Sequence, residues 1–148
     1  MTRGVQAPTP ARLFVLIVGA ALVLGGVAGF FYEADFGVGG DLVSDEILGT
    51  FPTSGWDNLM HLLAGIACLA AASRAPRPMA LLLGAGFTVL AVWGFLVTEG
   101  GFGTILDLLP VGTADNLLHL LVGLAGIAAG LLSAGESGGG SGRTPAAA

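Results

Sequence analysis

Four apolar stretches, at residues 12–32, 56–73, 79–98 and 114–134, take up most of this 148-residue chain. Each is close to the roughly 20 residues that a helix needs to cross the hydrocarbon core of a bilayer. Inside hydrocarbon every backbone N–H and C=O must find its partner within the protein, so runs of this kind are expected as helices. Composition agrees. The chain is 54% hydrophobic and only 10% charged, with mean hydropathy +0.88, whereas about a quarter of residues are charged in a soluble domain. The expected fold class is all-α, an integral membrane four-helix bundle over residues 12–134. Residues 1–11 are expected as a disordered cytoplasmic arm, and 135–148, rich in Gly, Ser and Ala, as a disordered cytoplasmic tail.

The bundle repeats itself. Pro52-Thr-Ser-Gly-Trp-Asp-Asn-Leu-Met-His-Leu-Leu-Ala-Gly-Ile-Ala67 returns 58 positions later as Pro110-Val-Gly-Thr-Ala-Asp-Asn-Leu-Leu-His-Leu-Leu-Val-Gly-Leu-Ala125. Upstream, Glu33, Phe36, Gly37 and Asp41 match Glu99, Phe102, Gly103 and Asp107 at a spacing of 66, so the first outer segment holds an insertion of eight residues. Two tandem hairpins follow, each a span, an acidic loop, a Pro-containing turn and a second span. An even number of spans per half implies a pseudo-two-fold axis along the membrane normal. A signal-peptide reading of residues 12–29 is set aside because the first span has a counterpart in the third. Within the first outer segment, residues 42–48 suggest a short amphipathic helical turn.

Charge fixes an orientation. Arg3, Arg12, Arg74, Arg77 and Arg143 all fall on one side of the four spans, and Glu33, Asp35, Asp41, Asp45, Glu46, Glu99 and Asp107 on the other. Basic residues stay cytoplasmic during insertion, so both termini are expected there. The net charge of −5 and the lack of a basic patch exclude a nucleic-acid surface. The lone Cys68 lies mid-span and reads as a small packing residue.

Chemistry concentrates in the repeated element. Asp57, Asn58 and His61, and their counterparts Asp115, Asn116 and His119, open the second and fourth spans, with Glu33 and Glu99 at the ends of the other two. Helical spacing places each histidine four residues from its Asp and four from Gly65 or Gly123. That glycine face, continued by Gly126, is expected to meet a neighbouring helix, with spans two and four lining the interface between the halves. The acids and amides fit helix capping. For the histidines three readings stay open: structural pairing with Asp or Asn, a divalent-metal or proton site drawing on His61, His119, Asp57 and Asp115, and axial ligation of a haem. No nucleophile motif is present, and the span middles carry no polar transport site.

The Asp115-Asn-Leu-Leu-His-Leu-Leu-Val-Gly-Leu-Ala-Gly126 segment, with its four spans and arginine-free outer side, resembles the small bacterial membrane-protein family catalogued as domain of unknown function 4383, over about residues 12–134. The resemblance implies a four-span protein of the bacterial plasma membrane and brings no activity, cofactor or substrate. The expected role is a non-enzymatic accessory or structural membrane component without a cofactor. The alternative is a cation-, proton- or haem-binding protein using the same Asp-Asn-x-x-His faces. The lipid bilayer is the expected partner, with a homo-oligomer or a membrane-protein partner open.

Overall fold

The computed structural model describes residues 7–134. It contains four helices: α1 (Pro10–Gly29), α2 (Gly55–Ala71), α3 (Pro76–Val97) and α4 (Thr113–Leu132). Helices α1, α3 and α4 are long and apolar enough to cross a membrane, which marks a membrane-embedded protein. At 17 residues, α2 is the shortest, about 26 Å at 1.5 Å per residue.

Helix ends differ from expectation in ways the local chemistry explains. α1 begins at Pro10, inside the stretch expected as a loose arm, because the Thr9 side chain accepts from Arg12 N and caps it. The rest of that arm, residues 1–6, and the tail 135–148 lie outside the described residues. Pro76 and Pro78 fall in the first turn of α3 rather than in a separate connection. Proline is tolerated there because the first helical N–H groups have no intrahelical acceptor.

The segments that connect α1 to α2 and α3 to α4 hold strands, so the fold is not purely α. β1 (Asp45–Ile47) pairs antiparallel with β2 (Phe51–Thr53), and β3 (Phe102–Ile105) with β4 (Leu109–Gly112). The suggested helical turn at 42–48 is thus replaced by a loop and β1. Both hairpins turn the same way: Leu48 and Leu106, 58 positions apart, each take φ 56°, a left-handed backbone uncommon for leucine. Gly39 N donates to Asp107 O at 2.9 Å, and Ser54 Oγ to Leu108 O at 3.4 Å, joining the two connecting segments.

The closest helix packing is α1 on α2 and α3 on α4, and glycine sets it. A Cβ on Gly65 would lie 2.7 Å from Gly19 O and from Val23 N of α1, and one on Gly123 would lie 2.8 Å from Thr88 N of α3. A Cβ on Gly126 would meet Ala80 O of α3 at 2.9 Å. These glycines therefore seat each helix against its own hairpin partner, not α2 against α4 as expected. At the end bearing the chain termini the halves join through Ala11, Val15, Cys68, Ala72 and Ala80, with Phe14, Met79 and Leu83 packed around them. There Ala11 N donates to Ser133 Oγ at 2.9 Å and Arg77 Nε to Gly130 O at 3.2 Å. Between that core and the hairpins, clefts open between α2 and α3 and between α1 and α4.

Candidate functional site

The two copies of the polar element cap their helices differently. In α2 the N-cap Ser54 hydroxyl accepts from Asp57 N at 3.2 Å; in α4 the N-cap is Gly112, whose N–H donates to Asp115 Oδ2 at 3.0 Å. Each copy holds one half of a reciprocal capping box. The Asp57 carboxylate, not needed for the N-cap, lies 3.3 Å from His61 Nδ1 and 3.4 Å from Thr53 Oγ1.

The asparagines serve the hairpins internally. Asn58 is buried against Gly29; its Oδ1 accepts from Thr53 Oγ1 at 2.7 Å and its Nδ2 donates to Glu33 O at 2.9 Å. Asn116 lies against Gly94 in the same manner, and its Nδ2 donates to Thr98 Oγ1 at 2.9 Å. Its Oδ1 is buried without a partner among the described residues, because the position equivalent to Thr53 is Val111. Glu33 thus contributes through its backbone carbonyl, while its carboxylate accepts from Ala34 N and Asp35 N at 2.8 and 2.7 Å. Glu99 is exposed and bridges Phe102 through its backbone. Neither glutamate side chain joins the cluster.

One helical step separates the asparagine face from the Asp and His face, and the latter points between the halves. The rings of His61 and His119 lie 6.2 Å apart, centroid to centroid, inclined at 54°. His119 stacks on Phe87 of α3 at 5.0 Å and 26°, and its buried Nδ1 has no hydrogen-bond partner among the described residues. Among the described residues no group of three or more His, Cys, Asp or Glu is placed to hold a metal ion. What the cluster offers is hydrogen bonding, through two imidazoles and two carboxylates.

This polar wall divides two apolar clefts. One, of about 370 Å³, lies between α2 and α3 and runs from His61 and Val111 to Ala67 and Met79. The other, of about 420 Å³, lies between α1 and α4 beneath the β1–β2 hairpin, and Asp57, His61, Asp115 and His119 all line it. Sequence reasoning missed Thr53, Thr98 and Phe87, which position the cluster, and Gly29 and Gly94, which make room for the asparagines. The threonines carried no repeat signal, since Thr53 matches Val111 in the other copy.

A family model described as Domain of unknown function (DUF4383) matches residues 12–132 of the chain. No curated protein and no solved structure matches it.

Proposed function

The chain belongs to the DUF4383 family, and from that premise we propose that it is a four-span, non-enzymatic component of the bacterial plasma membrane with both termini cytoplasmic. Its two tandem hairpins are related by a pseudo-two-fold axis along the membrane normal, and the faces that carry Asp57 and His61, and Asp115 and His119, hold the halves together at the outer end, while Asn58 and Asn116 brace each hairpin from within. The observation that carries this reading is the 6.2 Å approach of His61 and His119 from different halves. Ionisable groups within spans are costly unless paired, and here each faces the partner half rather than lipid. α2 spans as the fourth helix, with Trp56 at the outer interface and the neighbouring Thr53–Ser54 segment extending its reach.

The arginine distribution supports the orientation, since the arginines among the described residues, Arg12, Arg74 and Arg77, all fall at the helix ends opposite the hairpins. The test is labelling of single cysteines, in a Cys68→Ala background, with a membrane-impermeant thiol reagent applied to intact cells. Cysteines placed at Asp41 and Asp107 label and one placed at Arg74 does not. Labelling at Arg74 overturns the orientation, and opposite labelling at Asp41 and Asp107 overturns the four spans.

A further inference from the structure

The α1–α4 cleft is built like a small-molecule site. Its volume of about 420 Å³ falls in the range of ligand pockets, which are mostly apolar with a few placed polar groups. Ile17, Ala21, Leu118 and Val122 line its length, and its ionisable groups, Asp57, His61, Asp115 and His119, gather at one end. Over that end hangs the β1–β2 hairpin, with Leu48 lining the cleft while 79% exposed.

One detail points to an occupant. Gly25, on the cleft wall, has no packing reason to be glycine: a Cβ there would meet nothing within 4 Å, whereas one on the adjacent Gly26 would lie 2.6 Å from Asn58 O. Glycine weakens a helix relative to alanine, and at Gly25 the result is a wider cleft.

The charge at the polar end selects the head. Two carboxylates repel an anionic headgroup, and as acceptors they call for a donor; an imidazole nitrogen takes either role. A hydroxyl both donates and accepts. We propose that the α1–α4 cleft binds a single-chain amphiphile with an uncharged, hydroxyl-bearing head, the chain lying along Ile17, Ala21, Gly25 and Val122 and the hydroxyls meeting Asp57, Asp115 and His119. The inference rests on the membrane placement proposed above, which cysteine labelling tests independently of any ligand.

The experiment is thermal unfolding of the purified full chain in maltoside detergent with added monoolein, methyl oleate, oleate or oleylamine. Monoolein raises Tm by about 5 °C or more at saturation, and the other three leave it within about 1 °C. Gly25→Leu, whose Cβ meets nothing within 4 Å and whose side chain extends into the cleft, unfolds at or above the wild-type temperature and loses the monoolein response. Val122→Phe, filling the same cleft from α4, loses it as well. Equal shifts from all four amphiphiles, or a monoolein shift that survives both variants, overturn the site. A shift from oleylamine alone overturns the uncharged head.

Discussion

Replacing Gly29 with alanine tests how each half is held together. A Cβ at Gly29 would fall on the Asn58 amide, with Cγ at 2.5 Å and Nδ2 at 2.9 Å, and Asn58 cannot withdraw without breaking its bonds to Thr53 Oγ1 and Glu33 O. Each bond contributes about 1 kcal/mol net, and a buried group left unpaired costs roughly 1–3 kcal/mol more. Against this, alanine improves helix propensity by up to about 1 kcal/mol, less at the last helical residue. The expected net loss is about 2–4 kcal/mol, or roughly 10 °C in Tm for a domain of this size, read by circular dichroism at 222 nm in detergent. Asn58→Ala should cost a similar amount, and the double variant little more than either alone, because both remove one interaction. A Gly29→Ala protein within 2 °C of wild type, or costs that add in full, would refute this account of the hairpin.

Further expectations follow from the same geometry. Val111→Thr restores in the second half the hydroxyl that Thr53 supplies in the first, and by donating to the orphaned Asn116 Oδ1 it should stabilise by about 1 kcal/mol; a fall in Tm means that the two asparagine sites are not equivalent. Thr98→Val removes the acceptor of Asn116 Nδ2 and should destabilise by about 1–3 kcal/mol, whereas an unchanged Tm contradicts it. Ser133→Ala deprives Ala11 N of its buried acceptor and should cost about 1–2 kcal/mol, seen as faster hydrogen exchange at the start of α1; unchanged exchange there shows that the link between α1 and α4 is not needed.

The apolar runs were readable because a span of that length and polarity has few other solutions, and three of the four helices meet the criteria for crossing a membrane. The hairpins were not. β1 is Asp-Glu-Ile, residue types with weak strand preference apart from the isoleucine, and its turn places Leu48 where sequence patterns lead one to expect glycine or asparagine. The polar element was readable as residues but not as faces. His61 and Gly65 are four apart and lie about 40° from each other around a helix; Asn58 and Gly65, seven apart, lie about 20° from each other. That small difference sends Asn58 and Gly65 to α1 while Asp57 and His61 turn towards the other half. The glutamates at the ends of the first and third spans stood beside the polar element as candidate members of its cluster, yet a carboxylate beside free backbone N–H groups is satisfied locally, as Glu33 is by Ala34 and Asp35.

The central claim, that two hairpins meet through His61 and His119, is tested most directly by cross-linking. In a Cys68→Ala background, the paired substitutions His61→Cys and His119→Cys are treated in membranes with a short bifunctional thiol reagent, and the link is mapped by proteolysis between the halves. The 6.2 Å ring separation predicts an efficient link within one chain, insensitive to dilution into excess lipid. Free thiols at both positions, or a link found only between chains, would contradict it.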